Sequence, residues 1–178
     1  MFLFSPFLFW FRQPNTVFIL LEVTPIRESK FNVSADEEKR TYDGIVFDSQ
    51  MEMRYYRDVV LPLSRSGEIT HYELQKPYTL QPKFNNGSKN VLPIIYVADF
   101  YIEYADGHSE VVDVKGFADS AARLKRKIFW FKYPEIDYKW LTYVKKYGGW
   151  VDWDYVQRCR NAARREKRKM EELENGED

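Results

Sequence analysis

Residues 97–116 read VADFYIEYADGHSEVVDVKG, a pattern that predicts a β-hairpin at the centre of the chain's fold. Asp99 sits in the apolar run Ile94 to Phe100, and fourteen residues on comes Val111-Val112-Asp113-Val114-Lys115-Gly116. Between them Ala105-Asp106-Gly107-His108 carries the Asp-Gly pair that favours a tight hairpin turn. Two antiparallel strands follow, over 91–104 and 109–115. Side chains two apart on a strand share a face, so Asp113 and Lys115 point one way while Val112 and Val114 point the other. The hairpin also sets Asp99 beside Asp113. Two carboxylates among valines and isoleucines are costly to bury unless a cation compensates them. Oxygen-only ligation suits Mg²⁺, and Lys115 could then orient or help deprotonate an attacking water, or stabilise developing charge. The competing reading is a same-face ion pair of Asp113 with Lys115 on a solvated strand, with Asp99 an exposed strand residue.

Upstream of the hairpin, Asp48 or Ser49 caps a helix over 50–61 whose buried stripe is Met51, Tyr55 and Val59, and Pro62 ends it. Residues 69–84 are rich in β-formers, with prolines that mark an edge or bent strand. Asn85-Asn86-Gly87-Ser88 is a turn. Asp119 caps a second helix, 120–132, with Leu124, Ile128 and Phe131 on its apolar face. Residues 136–144 alternate as a strand, Gly148-Gly149 is a break, and a charged helix runs from Asp152 to about Leu173. The order is α-β-β-β-α-β plus a terminal helix, a mixed α/β fold.

The 27 basic and 27 acidic side chains sum to zero, but unevenly. Residues 1–114 carry 11 basic and 16 acidic groups, residues 115–169 carry 16 and 6, and residues 170–178 carry five acids. The basic stretch points to nucleic acid and the acidic tail follows it. Within it, Arg158 to Lys169 holds seven basic residues and one acid, Glu166; it reads as a nucleic-acid arm or as a partner of the acidic run at i, i+4 spacing. One cysteine, Cys159, excludes an internal disulfide, and with only two histidines, His71 and His108, a four-ligand Cys/His zinc site is excluded too. His108 sits at the hairpin tip, away from the expected site. Trp130, Tyr138, Trp140 and Tyr143 read as core rather than as stacking platforms.

Met1 to Phe11 is intensely apolar, and Thr16 to Val23 is apolar again after a Pro-Asn break; neither run is long enough to cross a membrane. An interfacial anchor, a packed hairpin and an upstream extension from an early assigned start are the readings, the last being favoured. The organisation expected is an apolar extension over 1–30, a core over 31–147, and a charged helix with an acidic tail over 148–178. A reducing cytoplasmic setting is expected, without membrane association.

The hairpin and its setting resemble the PD-(D/E)XK nuclease superfamily, whose pattern is an acidic residue on the second core strand and (D/E)-x-K on the third. The stretches TYDGIVFDSQMEMRYY, ITHYELQKPYTL and VADFYIEYADGHSEVVDVKG resemble, more narrowly, the phage-borne DUF1064 family. The resemblance covers about Phe31 to Tyr143; Ala98 stands where the pattern has proline. It implies a restriction-endonuclease-like αβββαβ core with a central mixed sheet. It also implies a Mg²⁺-dependent endonuclease (Mn²⁺ as substitute) that hydrolyses DNA phosphodiesters, of phage or prophage origin, acting on branched or replicating DNA, with homodimerisation open and no small-molecule cofactor. Asp99, Asp113, Lys115 and Glu52 would be catalytic, with Asp99, Asp113 and Glu52 on the metal. Glu52 has a second reading, because Ser49-Gln50-Met51-Glu52 is also a capping box. Glu73 and Gln75 share a strand face that could border the site. Arg123, Arg126 and Lys127 at i, i+3, i+4 could hold phosphates. The alternatives are a catalytically silent nucleic-acid-binding or assembly module on the same fold, and an RNA-processing nuclease.

Overall fold

A computed structural model describes residues 36–174. The expectations for residues 1–30, and for the acidic run beyond Glu174, lie outside the described residues. A small hairpin, β1 (Thr41–Tyr42) and β2 (Ile45–Val46), leads into α1 (Gln50–Tyr55), a π-helical turn (Tyr56–Val60) and α2 (Leu61–Ser66). Then come β3 (Ile69–Gln81), the short β4 (Phe84–Asn85) and β5 (Asn90–Val91), β6 (Ile94–Tyr104), β7 (Ser109–Val114), α3 (Ser120–Lys132), β8 (Asp137–Val144), β9 (Gly149–Asp152) and α4 (Trp153–Glu174). The five-stranded sheet has the order β3-β6-β7-β8-β9. All its pairs are antiparallel except β7 with β8, which α3 connects as a crossover. The fold is mixed α/β with a central mixed sheet and a C-terminal helix, as the element order predicts.

The Asp-Gly turn closes as expected: Gly107 N–H donates to Tyr104 O and Tyr104 N–H to His108 O. Two cores form, one on each sheet face. Tyr78, Leu80, Tyr96, Ala98, Val111, Phe129, Tyr138, Trp140 and Trp153 pack under α3 and the start of α4. Phe47, Tyr55, Tyr56, Val60, Phe100, Ile102, Val112 and Val114 pack under α1 and the π turn.

Four expectations are corrected. Pro62 does not end the first helix, which runs on to Ser66 and stops at left-handed Gly67. The π turn makes this tolerable: Leu61 N–H reaches back five residues to Tyr56 O, widening the helix where the proline enters its next segment. The same extra residue rotates the buried stripe from Met51, Tyr55 and Val59 to Tyr55, Tyr56 and Val60. On α3 the buried face is Ala122, Arg126 and Phe129, continued by Tyr133; Leu124 and Phe131 are 59% and 89% exposed. Both stripes have helical spacing and differ by an offset of two residues. Finally, Gly148-Gly149 is not the end of the sheet: β9 begins at Gly149 and pairs with β8, so the core passes residue 147. Trp153 and Val156 are buried, whereas α4 is exposed from Arg160 onward.

Candidate functional site

The site forms where the sheet breaks its own alternation. On β6, Tyr96 and Ala98 belong to the core under α3, but Phe100 and Ile102 belong to the core under α1. A strict period of two would put all four on one face. β3 makes the same crossing, with Tyr72 and Leu74 on one side and Tyr78 and Leu80 on the other. Pairing holds on both sides of the crossing, Leu74 with Phe100 and Lys76 with Ala98, while Gln75 and Asp99 drop out of the ladder. Gln75 takes up the change at φ 53°, in the left-handed region.

Asp99 fills the gap with its own groups. Its N–H donates to Asp113 Oδ1 at 3.2 Å, and its Oδ2 accepts from Val114 N–H at 2.8 Å. A rung of the β6–β7 ladder is thus made by carboxylates. Asp113 is fully buried, and its Oδ2 lies 2.7 Å from Lys115 Nζ and accepts from Tyr138 O–H at 3.0 Å. Tyr138 in turn accepts from Trp140 Nε1–H at 2.5 Å and meets the Tyr96 hydroxyl. Since Tyr138 spends its one proton on Asp113, Tyr96 is the donor to Tyr138. β8 supplies this support because its parallel register sets Tyr138 beside Val111 and Trp140 beside Asp113.

Glu52 arrives from α1. Met51 seats that helix against the end of β7, 3.8 Å from where a Cβ on Gly116 would stand. Ser49 is the N-cap, accepting from Glu52 N–H at 3.1 Å, and its hydroxyl donates to Glu52 Oε1 at 2.7 Å. Glu52 therefore completes a cap and still reaches the site, since its Oε2 is buried without a hydrogen-bond partner. Burial raises its carboxyl to about 7; Asp48 and Asp113 add to the rise, and the Ser49 hydroxyl and Lys115 oppose it. Burial likewise pushes Asp99 well up, with the Asp113 charge adding to it. For Lys115 burial disfavours the ammonium, but Asp99 and Asp113 outweigh it and raise its pKa, so Lys115 is charged at neutral pH.

The structure thus brings Asp99, Asp113, Lys115 and Glu52 together. Gln75 stands opposite Asp99, but Glu73 does not border the cluster: its carboxylate is held by Lys76 at 2.7 Å and approached by His71, opposite Tyr101. Of the three α3 cations, Arg123 and Lys127 are exposed. Arg126 is corrected: it is buried, pairs with Asp154 at 2.7 Å and stacks 4.2 Å from Trp140 and 4.3 Å from Trp130, so its charge is spent inside the protein. Tyr96 and Tyr138 were not foreseen as site residues; the alternation through Tyr138 and Trp140 was the available signal, though only the parallel register shows which strand they serve.

Among the described residues no three His, Cys, Asp or Glu side chains are gathered as a preformed metal-ligand set. The donor chemistry still fits Mg²⁺, which uses one or two carboxylates and keeps several waters. Adjoining acids with two raised carboxyls and an unpartnered Glu52 oxygen are what a cation would satisfy. No helix among the described residues is long and apolar enough to cross a membrane.

Fold and site together define a mixed α/β protein with an Asp…Asp-x-Lys cluster, built around the buried Asp113, at a break in its central sheet. The family described as "Protein of unknown function (DUF1064)" matches residues 29–149, and the chain belongs to it. Comparison with curated proteins finds no match.

Proposed function

We propose that the chain is a Mg²⁺-dependent endonuclease of the PD-(D/E)XK type that hydrolyses DNA phosphodiesters, phage or prophage encoded, with branched or replicating DNA as its substrate. The observation that carries this reading is the carboxylate rung. The Asp99 N–H is bonded to the Asp113 carboxylate, the Asp99 carboxylate to the Val114 N–H, and the fully buried Asp113 pairs with Lys115 at 2.7 Å, an arrangement far costlier than strand pairing alone requires.

Asp99 and Asp113 would hold the metal, with Glu52 as the adjoining oxygen donor. Bound there, Mg²⁺ supplies a Lewis acid at the scissile phosphate. Lys115, kept as an ammonium by its carboxylate neighbours, orients the attacking water and stabilises negative charge developing on the phosphate oxygens; it is not a proton acceptor. Tyr138 holds Asp113 in place through its O–H. The exposed Arg123 and Lys127, and the basic stretch of α4, supply phosphate contacts.

The test is cleavage of supercoiled plasmid and of a four-way junction with Mg²⁺ or Mn²⁺, comparing wild type with Asp113→Asn and Lys115→Ala, each checked for folding by thermal melting. Wild type should cut, and both variants should lose at least about 100-fold, the scale on which removal of one charge-stabilising group is felt. No cleavage of any DNA by wild type would refute the DNA endonuclease and leave the silent binding module or the RNA-processing nuclease.

A further inference from the structure

Between α3 and the start of α4, Trp130, Trp140 and Trp153, with Arg123, Arg126 and Lys127, line a cavity of about 280 Å³. Its chemistry is one-sided. Trp153 Nε1–H and Arg126 Nε–H belong to side chains 3% and 7% exposed, and neither has a hydrogen-bond partner. Indole and guanidinium nitrogens are donors only, so both call for acceptors. The one acid in the lining, Asp154, is already paired with Arg126, which leaves Arg123 and Lys127 as net positive charge at the exposed rim. Trp130 is 44% exposed and offers an aromatic surface beside them. A metal cation is repelled by such a rim, and a bare anion would leave the indole unused.

We infer that this cavity is a pocket for one unpaired nucleotide of a nucleic-acid strand, with its base against Trp130 and its phosphate between Arg123 and Lys127. A base inside a duplex is stacked and cannot reach the ring, so the pocket selects single-stranded or branched elements. Trp140 ties the pocket to the carboxylate cluster. It is the register partner of Asp113, its ring lies 5.9 Å from Lys115 Nζ, and Arg126 covers it at 4.2 Å. The inference rests on the nucleic-acid reading of that cluster and adds the strand state that is recognised.

The experiment measures binding by the full chain, with EDTA present so that no cleavage occurs. The probe is a single-stranded oligonucleotide of about a dozen nucleotides, set against the same sequence as duplex and against inorganic phosphate. Tryptophan quenching and fluorescence anisotropy are the readouts. Wild type should bind the single strand more tightly than the duplex. Trp130→Ala should lose about five-fold or more, the effect of removing one stacked base, and Trp130→Phe should retain most of the affinity. Lys127→Ala should lower the salt slope by about one. Both altered side chains are exposed, and unchanged far-UV circular dichroism confirms the fold. Equal single-strand affinity of wild type and Trp130→Ala would overturn the pocket, as would equal wild-type affinity for strand and duplex, or the same quenching by inorganic phosphate alone. A protein that binds as expected but cuts no DNA refutes the nuclease and leaves the pocket standing. One that cuts while Trp130→Ala binds normally refutes the pocket alone.

Discussion

Glu52→Gln should change how stability depends on pH, and the sign follows from burial. The carboxyl ordinarily titrates at 4.5 and is raised to about 7 in the folded chain, first by burial and then by Asp48 and Asp113. A raised folded pKa means that the native state holds a proton the unfolded chain has given up. Glu52 therefore contributes stability that is fully present below about pH 4.5 and lost as pH rises through about 7. A shift of this size corresponds to roughly 3 kcal/mol, at about 1.4 kcal/mol per pH unit. The glutamine keeps an acceptor for the Ser49 hydroxyl, which donates to Glu52 Oε1 at 2.7 Å, so the cap survives while the titration disappears.

The assay is urea denaturation of wild type and variant from pH 4 to pH 8. Asp99 titrates in both proteins, and its contribution largely cancels in the difference. Wild type should lose roughly 3 kcal/mol relative to the variant across that range. Adding Mg²⁺ at pH 8 should restore part of the loss in wild type, by about 1.4 kcal/mol for each tenfold excess over the dissociation constant, and less in the variant. Curves that stay parallel within about 1 kcal/mol would refute the burial argument. Equal Mg²⁺ effects in the two proteins would remove Glu52 from the cation site.

Tyr138→Phe should cost about 2–3 kcal/mol in urea denaturation, since it removes the bond to Asp113 and leaves the Trp140 N–H and Tyr96 O–H buried without an acceptor. Tyr78→Phe is the control, because that buried hydroxyl has no partner, and it should be neutral or slightly stabilising. Gln75→Gly should stabilise by about 1 kcal/mol in the same measurement by relieving φ 53°, and a loss of stability would show that the side chain itself is needed. Arg126→Ala should cost about 2 kcal/mol, with Arg126→Lys a poor rescue because a lysine cannot lie flat between Trp130 and Trp140. Ending the chain after Arg160 should shift the melting temperature by less than about 2 °C, because α4 is exposed from there, and should lower the salt slope of DNA binding by about three. Five basic residues are removed by that truncation, but Lys167 and Arg168 already pair with Glu171 and Glu172.

The hairpin was legible because two local signals agree there: alternation fixes which residues share a face, and Asp-Gly fixes where the chain turns. The α3 face was not. Leu124, Ile128 and Phe131 form an apolar stripe at helical spacing, and so do Ala122, Arg126, Phe129 and Tyr133 once an arginine is allowed among them. Arg126 can be buried only because Asp154 from α4 meets its charge and the rings of Trp130 and Trp140 cover its planar group. One of those rings and the acid come from elements distant in the chain, so hydrophobicity alone selects the wrong side. β9 was hidden for a comparable reason, since Gly148-Gly149 does mark a turn and pairing with β8 resumes at once behind it.

The break at Asp99 is the most informative case. A strand that keeps its period through Asp99 would leave both aspartates as ordinary rungs, and Asp113 would need no hydrogen bond from the Asp99 backbone. The observed strand instead changes face there, with Gln75 taking the strained conformation opposite it, and the backbone donors released from the ladder are satisfied by carboxylates. Local strain, lost pairing and two adjoining acids, Asp113 fully buried and Asp99 half-buried, all fall at one point, although each is unfavourable by itself. A valine at 99 would remove one acid from the cluster and leave the crossing, which the two cores and Gln75 hold, in place. Retaining the aspartate is reasonable only if the cluster it builds with Asp113, Lys115 and Glu52 does something that a regular sheet cannot. Asp99→Val should accordingly yield a protein as stable as wild type, or more so, in urea denaturation without divalent metal, and one that cuts no DNA. A destabilised Asp99→Val would mean that the acid serves the fold.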